Sequence, residues 1–318
     1  MSLQSVTRSL LFAAPILFLL CPASVAEAQR PTDFSSLQVV TTQVAGNIYM
    51  LQSPVSGNTA ALIGSDGVLL VDAQYAPIHA KLMAAVRKLS PQPLRFLINT
   101  HFHRDHSEGN VHMTEEGAVI IAHENVRTFL ANCTSTIKGE DGFVYSGCGR
   151  KTDTGAAVLL PPLPGLLPTV TYTGALTMYF NGEEIHLTHL EAAHTNADSV
   201  VYFRKANVMH TGDIIDLKQY PAPETIDGWM AAVDQIIKIG NPATKFIPGH
   251  GELGTFDDVV NYYGTVFTIR SRVLNGIREG QTLQQVIASK PTAEFDRRYN
   301  GRPGEGLVTT IYQQLSKK

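Results

Sequence analysis

The sequence has few cysteines and no concentrated charge of either sign. Three cysteines stand among 318 residues, no run of five like charges occurs, and the formal net charge is -3. Because proteins that bind phosphate backbones usually present a concentrated basic face, this distribution argues against a nucleic-acid partner. Internal repeats and low-complexity segments are also absent, and 44% apolar residues suffice for a large core. The composition therefore indicates a globular protein that is neither fibrous nor disordered.

A run long enough to span a membrane is missing as well, but the first 28 residues are unusual. Arg8 precedes an apolar stretch from Leu10 to Cys21, and Ala26-Glu27-Ala28 has the small-x-small pattern that signal peptidases cut. The stretch is shorter than the ~20 residues that a membrane-spanning helix needs. We therefore predict a signal peptide over residues 1–28, a periplasmic or secreted mature chain, and no stable membrane insertion after cleavage. An uncleaved anchor is the alternative.

Removal of this leader leaves Cys133 and Cys148. In an oxidising compartment a disulfide between them is one interpretation, and two free, buried thiols are the other. Both lie in residues 132–168, which read as a long irregular loop ending in a proline-rich stretch. We expect this loop and the segment Ser53–Asn58 to shape a pocket, because long loops in compact enzymes are usually functional.

Strand and helix patterns alternate in two successive halves of the chain. Strands are predicted at 37–53 (a hairpin), 58–63, 68–72, 94–99, 118–122, 175–180, 184–190, 199–203, 207–210 and 245–247, and helices at 78–89, 124–131 and 226–239. This order predicts an α/β fold in which two sheets pack face to face with helices on their outer faces. We predict one domain over residues 29–318, with its core at about 40–255 and a helical C-terminal segment at 256–318.

The strongest chemical signal is the segment Thr100–His106, which reads Thr-His-Phe-His-Arg-Asp-His. A predicted buried strand precedes it, so its first residues are rigidly placed. Alternation along an extended chain puts His101 and His103 on the same side, and a turn after them lets Asp105 and His106 face a second centre. Imidazole and carboxylate groups are the ligands that zinc takes when cysteine is absent.

Three further candidate ligands lie at the ends of predicted strands or just beyond them: His194, Asp213 and His250. Glycine precedes Asp213 and flanks His250 on both sides, which permits a tight backbone turn at each position. A sheet that delivers side chains from the ends of several strands is a common way of building an active site. The other six histidines lack such a context, and we expect surface or internally satisfied roles for them.

These blocks, in this order, resemble the metallo-β-lactamase superfamily over roughly residues 40–255. That family has an αββα sandwich with a two-zinc site along one edge. The resemblance implies two zinc ions per chain, with ligands His101, His103 and His194 on the first and Asp105, His106 and His250 on the second. It also implies that Asp213 bridges the ions. Asp72 matches an acidic residue at the end of an earlier strand, whose implied role is to orient a histidine or the loop that bears it.

Two such ions lower the pKa of a water held between them towards about 7, so that no serine or cysteine nucleophile is needed. In the scheme that the resemblance implies, this water would attack a scissile carbonyl. In this scheme Asp105 is a catalytic residue that orients the nucleophile and later passes a proton to the leaving group. Tyr220 is predicted to donate a hydrogen bond to the oxyanion, and a packing role is the alternative.

Departures from the family pattern bear on the substrate. The best-known lactamase subgroup has Cys where Asp213 stands, followed three residues later by a Lys that binds the substrate carboxylate. Here that position is Asp216, which we expect to repel a carboxylate. Asp at the bridging position resembles the glyoxalase, lactonase and phosphotriesterase branches, whereas the predicted secretion favours β-lactams. We expect a zinc hydrolase that cleaves a β-lactam, a lactone or a related small-molecule ester or amide. The alternatives are a phosphodiesterase or phosphotriesterase, and an iron-dependent oxidoreductase on the same fold.

Overall fold

The computed structural model describes residues 33–132, 135–138, 144–147 and 164–317. Its strands are β1 (Val40–Ala45), β2 (Ile48–Gln52), β3 (Thr59–Gly64), β4 (Gly67–Val71), β5 (Leu94–Asn99), β6 (Val119–His123), β7 (Ser135–Lys138), β8 (Val144–Gly147), β9 (Val170–Tyr172), β10 (Ala175–Phe180), β11 (Glu183–His189), β12 (Ser199–Phe203), β13 (Val208–His210), β14 (Lys245–Ile247) and β15 (Gly254–Thr255). The helices are α1 (His79–Leu89), α2 (Arg104–Ser107), α3 (Asn110–Glu115), α4 (Glu124–Asn132), α5 (Ile226–Ile239), α6 (Phe256–Arg278), α7 (Leu283–Ala288) and α8 (Glu305–Leu315).

The first sheet has the strand order β1-β2-β3-β4-β5-β6-β9. Strands β1 to β4 are antiparallel neighbours, whereas β4, β5, β6 and β9 run parallel to one another. Parallel neighbours end at the same edge of a sheet. The chain therefore leaves β4 at Asp72 and β5 at Thr100 along one common edge.

The second sheet has the strand order β10-β11-β12-β13-β14-β15. Its neighbours are antiparallel except for β13 and β14, which are parallel and pair His210 with Ile247. This single parallel pair brings the chain segments after β13 and after β14 to the same edge. Asp213 and His250 lie in those two segments.

Alternation along the strands divides the core into layers. In β4, Leu69 and Val71 belong to the buried cluster between the two sheets, whereas Val68 and Leu70 belong to the cluster that includes α1. The second sheet packs its other face on α5, α6 and α8, where Trp229 and Tyr262 are fully buried. The predicted αββα sandwich, two mixed sheets with helices on the outer faces, is confirmed.

The long α6 begins where the sequence supplies its own cap. The Thr255 hydroxyl accepts a hydrogen bond from the Asp258 backbone N–H (3.2 Å), and the Asp258 carboxylate accepts one from the Thr255 N–H (3.0 Å). This reciprocal capping box satisfies two of the backbone donors that a helix start leaves open. Of the helices in the described residues, none combines the length and apolar character that crossing a bilayer requires.

Two parts of the structure differ from the prediction. Residues 132–168 were expected to be irregular, but within the described part β7 and β8 form an antiparallel pair from Ser135–Gly147 to Lys138–Val144. Strand β9 was also not predicted, because it has three residues of which two are exposed, so no hydrophobic alternation marks it. It extends the first sheet beside β6.

Several predictions fall on other parts of the chain. The signal peptide over residues 1–28, the cysteines Cys133 and Cys148, and the proline-rich stretch up to residue 163 lie outside the described residues. The described residues themselves belong to one compact unit. Cleavage after residue 28 stays a prediction.

Candidate metal centre

The seven side chains singled out from the sequence meet at one edge of the sandwich, in two groups: His101, His103, His194 and Asp213, and Asp105, His106 and His250. Within each group the nitrogen or oxygen atoms offered by the residues lie within 4.8 Å of one another. The first four ligand positions of the chain follow β5 or lie on α2. The remaining three follow β11, β13 and β14 of the second sheet.

The first group is built around His103. Its Nδ1 atom lies 3.1 Å from Nε2 of His101 and 2.9 Å from Nε2 of His194. The Oδ2 atom of Asp213 lies 3.7 Å from Nε2 of His101 and 3.5 Å from Nε2 of His194. Three ring nitrogens and one carboxylate oxygen thus converge on one point.

The second group shares Asp213 with the first. Oδ2 of Asp105 lies 3.1 Å from Nε2 of His250 and 3.6 Å from Nε2 of His106. Oδ1 of Asp213 lies 3.0 Å from Nε2 of His106, and its Oδ2 lies 3.5 Å from Nε2 of His250. The Asp213 carboxylate therefore stands between the two groups and contacts histidines of both.

Partners of the opposite ring nitrogens fix the tautomers of three histidines. Nδ1 of His194 lies 3.0 Å from the Ala222 carbonyl oxygen, to which it can only donate. Nδ1 of His106 donates to Asp72 (2.7 Å), and Nδ1 of His101 lies 3.1 Å from the Thr100 hydroxyl, whose own hydrogen is given to Asp72. With Nδ1 protonated, each Nε2 carries a lone pair directed into the cluster, which is the form in which histidine binds a metal.

Asp72 lies behind the second group and is hydrogen-bonded to His106 and Thr100. Its carboxylate accepts hydrogen bonds from the Thr100 N–H (2.8 Å), the Thr100 hydroxyl (2.7 Å) and His106 Nδ1 (2.7 Å). The residue is fully buried, and its backbone adopts a left-handed φ of 67°. The residue after β4 is thereby turned to support both the histidine and the start of the ligand-bearing segment.

The electrostatics of the cluster favour a cation. Burial, reinforced by neighbouring histidines, holds the pKa of His101 well below its usual value and lowers the pKa of His103 to about 4. Burial opposes ionisation of Asp213, yet His106 and His250 hold the pKa of this carboxyl well below its ordinary value. The Asp213 and Asp105 carboxylates outweigh the effect of burial and raise the pKa of His106 and of His250. A divalent cation that binds the carboxylates would displace those protons.

Two orphaned polar atoms test whether metal ions fit. Nε2 of His106 and Oδ1 of Asp213 are buried and have no hydrogen-bond partner in the described structure, although they lie 3.0 Å apart. A buried polar atom without a partner costs about 1–3 kcal/mol. Once His106 gives up its second proton, these two atoms are both acceptors, and one cation between them would satisfy both. The residues present therefore fit a metal centre of nitrogen and oxygen ligands.

Two glycines make room for the cluster. A Cβ atom at Gly57 would overlap the imidazole ring of His106, and one at Gly249 would overlap the Asp213 carboxylate and the Gly212 backbone. Both glycines lie in backbone segments that pass close to the clustered side chains. The residues on either side of Gly57 hold its segment in place: the Ser56 hydroxyl donates to the Asp105 carbonyl (2.8 Å), and Asn58 Nδ2 donates to the Pro248 carbonyl (2.9 Å).

Sequence reasoning missed further residues that hold the ligands in place. The buried Asp198 carboxylate accepts hydrogen bonds from the His194 N–H (2.6 Å), the Thr195 N–H (2.7 Å) and the Thr195 hydroxyl (2.6 Å). Burial raises the pKa of Asp198 to about 6 in spite of these bonds. A Thr three residues before an Asp is the local signal that could have identified this loop.

A second missed pair stands behind the α2 turn. Asn99 and Asn110 exchange side-chain amide hydrogen bonds of 3.0 and 2.9 Å, and Asn99 Nδ2 also reaches the His106 carbonyl at 3.3 Å. Both side chains are fully buried. A buried amide pair of this kind cannot be found from spacing, because it joins the end of β5 to α3 across the ligand-bearing turn.

The structure does not bring Tyr220 into the cluster. Its hydroxyl donates to Oδ1 of Asp296 at 2.8 Å, its ring lies 4.2 Å from that of Tyr299, and burial together with Asp296 raises its pKa. The predicted oxyanion donor therefore has its hydrogen engaged elsewhere. Asp216 also differs from expectation: it is buried and accepts from the Lys218 N–H (3.0 Å), so it is not an exposed charge that would repel a substrate.

The remaining histidines have partners outside the cluster, as expected. Those partners are Glu116 for His79, Glu115 for His112, the Thr173 carbonyl for His123, Glu184 for His186, the Asp198 carbonyl for His189 and the Asn58 carbonyl for His210. Only the predicted seven converge among the described residues.

Comparison with known proteins agrees with this geometry. The family model of the metallo-beta-lactamase superfamily matches residues 53–250, which is more than half of the chain and contains all seven clustered side chains. The chain belongs to the metallo-β-lactamase superfamily. Superfamily membership indicates a hydrolase acting on small molecules. The matched region ends at residue 250, so the C-terminal residues 256–317 lie outside it.

Individual members of the superfamily are similar at modest identity. Metallo-beta-lactamase IND-1 from Chryseobacterium indologenes is 23% identical over 203 residues, which cover 62% of this chain and 72% of that protein. A metallo-beta-lactamase structure from Pontibacter korlensis has a TM-score of 0.55 at 15% identity, covering 71% of this chain and 98% of the other. The stereoselective inverting sec-alkylsulfatase Pisa1 from Pseudomonas sp. has a TM-score of 0.58 at 16% identity, covering 86% and 50%. The two structural likenesses concern the fold.

Proposed function

We propose that this chain is a secreted hydrolase that uses two zinc ions to cleave a cyclic or activated ester or amide, a β-lactam or a lactone. The observation that carries the proposal is the contact between His106 and Asp213. Nε2 of His106 and Oδ1 of Asp213 are buried, lie 3.0 Å apart at the junction of the two ligand groups, and would both be satisfied by a metal ion that replaces the proton on His106.

The ligands divide between the two ions along the two groups. His101, His103 and His194 would hold the first zinc, and Asp105, His106 and His250 the second. Asp213 would bridge them, since its two oxygens lie 3.0–3.7 Å from histidines of both groups. A purely nitrogen and oxygen ligand set with seven members suits two zinc ions better than a mononuclear iron site.

Zinc, when bound, supplies Lewis acidity and lowers the pKa of water towards about 7. The chain's own residues supply the rest. Asp105, 18% exposed and facing His250, can accept a proton from the attacking water and return it to the leaving group. Asp72 and Asp198 keep His106 and His194 in place, so that the reacting groups need little rearrangement.

The substrate class is supported from two sides. The similar protein IND-1 is named a metallo-β-lactamase, and the apolar leader over residues 1–28 favours export to the periplasm or beyond, where β-lactams are met. Asp at the bridging position resembles the lactonase branch, and also the glyoxalase and phosphotriesterase branches, which is why a lactone stands beside the β-lactam in this proposal. Tyr220 does not contribute an oxyanion contact in this proposal, because its hydroxyl is bonded to Asp296.

A second candidate is hydrolysis of a phosphodiester, a phosphotriester or a sulfate ester on the same centre. The fold likeness to the sec-alkylsulfatase Pisa1 motivates its inclusion. The sequence has no run of five like charges and a net charge of -3, which does not favour a polyanionic substrate, so small esters are the version of this candidate to test.

Metal analysis and a substrate panel test the proposal. Purified protein should contain about two equivalents of zinc after reconstitution, by inductively coupled plasma mass spectrometry. Nitrocefin, N-acyl homoserine lactones or an aryl ester should be hydrolysed faster than bis-p-nitrophenyl phosphate or a sec-alkyl sulfate. Less than one equivalent of transition metal would sink the metal centre. Turnover of only the phosphate or sulfate ester would transfer the function to the second candidate.

A further inference from the structure

The C-terminal helical segment (residues 256–317) contacts the loop that runs from Asp216 to Thr225, which we call the support loop. Tyr262 donates from its hydroxyl to the Gln219 carbonyl at 3.1 Å, and Asn300 Nδ2 donates to the Lys218 carbonyl at 3.2 Å. Tyr220, which follows Gln219 in the chain, donates its hydroxyl hydrogen to Asp296 at 2.8 Å. Three consecutive residues of the support loop are therefore bonded to a segment that the family model does not match.

The other side of the support loop holds a ligand of the first group. The Ala222 carbonyl accepts from Nδ1 of His194 at 3.0 Å. Two residues after Ala222, the Glu224 N–H donates to the Ala193 carbonyl at 2.8 Å, so the loop is also tied to the residue before His194. The support loop thus fixes which nitrogen of His194 carries the hydrogen and where Nε2 points.

Tyr220 is anchored to the C-terminal helical segment through both its ring and its hydroxyl. Its ring packs on Tyr299, and a Cβ atom at Gly304 would come within 2.9 Å of the ring, so the two segments approach closely there. A hydroxyl has one hydrogen to give. Asp296 at 2.8 Å is the better acceptor than the Thr292 carbonyl at 3.3 Å, and its charge strengthens the bond.

We propose that Tyr220 is a positioning residue of the metal centre: bonded to Asp296, it fixes the support loop, whose Ala222 carbonyl aims His194 at the first group. The C-terminal segment is then part of the machinery and more than a cover for the second sheet. The inference rests on the proposed function only in that His194 binds a metal ion.

Zinc affinity of the full-length protein tests this without relying on turnover. Competition with a chromophoric chelator gives two dissociation constants, and His194→Asn identifies the one that belongs to the first group. Tyr220→Phe keeps the ring packing and removes only the hydroxyl. It should weaken that constant by about threefold to tenfold, less than the roughly 10–100-fold seen when a direct partner of a ligand is lost.

Matched variants separate positioning from general destabilisation. Asp296→Leu should weaken the same constant by at most as much as Tyr220→Phe, because the Thr292 carbonyl remains as a weaker acceptor, and the double variant should be no weaker than Tyr220→Phe. Asp296→Asn keeps an acceptor oxygen and should restore near wild-type binding. Glu294→Gln, which breaks the exposed Glu294–Arg272 ion pair of the same segment, is the control and should leave both constants unchanged.

Two results would overturn the inference. If the wild type binds two zinc ions and Tyr220→Phe has the same first-group dissociation constant, Tyr220 has no positioning role, and the proposed function still stands. Equal weakening of both constants by Tyr220→Phe and by Glu294→Gln reduces the effect to loss of stability. Absence of zinc binding by the wild type is the separate result that defeats the proposed function itself.

Discussion

Nδ1 of His106 lies 2.7 Å from Oδ2 of Asp72, and both side chains are fully buried. The carboxylate receives the ring hydrogen and leaves Nε2 free to face Asp213. Asp72→Asn should weaken zinc binding by the second group about 10–100-fold, because one of the two accepting oxygens becomes an NH2 donor. Asn is the suitable substitute because it tolerates the left-handed backbone that Asp72 adopts. The measurement is the pair of zinc dissociation constants.

A surface pair of the same chemistry provides the control for this variant. Glu184 and His186 are 2.6 Å apart but about one-third exposed. Glu184→Gln should change neither zinc dissociation constant nor the rate of hydrolysis. Equal zinc binding by Asp72→Asn and wild type would mean that the buried carboxylate does not orient His106.

Gly249 offers a steric test of the ligand cluster. A Cβ atom there would overlap Oδ1 of Asp213 and the backbone around Gly212, so Gly249→Ala should displace the shared carboxylate. We expect kcat/KM to fall at least about 100-fold, which corresponds to ~2.7 kcal/mol. Gly264→Ala is the matched control: this glycine is exposed within α6 and a Cβ meets nothing within 4 Å. It should keep full activity and gain up to about 1 kcal/mol of unfolding free energy. A fully active Gly249→Ala enzyme would contradict the close packing.

His79 gives a pH dependence that is independent of the metal centre. Burial and the neighbouring His112, opposed by Glu116, lower the pKa of His79 in the folded state. A histidine whose folded pKa is below its unfolded value stabilises the protein above pH ~6.5 and loses that contribution as the pH falls towards the folded pKa. As the pH falls from 7 to 5, the free energy of unfolding should therefore decrease less for His79→Gln than for the wild type. Urea unfolding of the metal-free proteins at several pH values measures this, and parallel pH curves would refute it.

Removal of metal should lower stability as well as activity. A ligand bound at 100 times its dissociation constant adds about 2.7 kcal/mol to the free energy of unfolding. Chelation should accordingly lower the thermal midpoint by several degrees, and added zinc should restore it. Scanning calorimetry with and without a chelator is the measurement. Identical midpoints for chelated and zinc-loaded protein would argue against binding in the native state.

The sequence was informative wherever one local pattern controls one feature. The buried strand before Thr100 and the glycines around His250 pointed to side chains that the structure brings into one cluster, because strand ends and tight turns are local properties. Asp198 escaped notice because its role depends on three hydrogen bonds closed within a loop whose conformation is set by tertiary packing.

Tyr220 shows the limit of inference from separation along the chain. Its proximity to Asp213 in sequence suggested a place beside the reacting atoms, but Asp296, more than seventy residues later, captures its hydroxyl. Which of two directions a loop side chain takes is decided by the surface it meets. That surface is assembled from α6 and the residues that follow it, and no periodicity in the loop reports it.

Each ligand group contains side chains that follow strands of both sheets. In the first group, His101 and His103 face His194, and in the second group His106 faces His250. A cation held in either group consequently acts as a clasp between the halves of the sandwich. The sheets could separate at this edge only after the ion has dissociated, so the rate of edge opening would be limited by the rate of metal release. Amide hydrogen exchange at the ends of β5 and β14 should then slow together when metal is added.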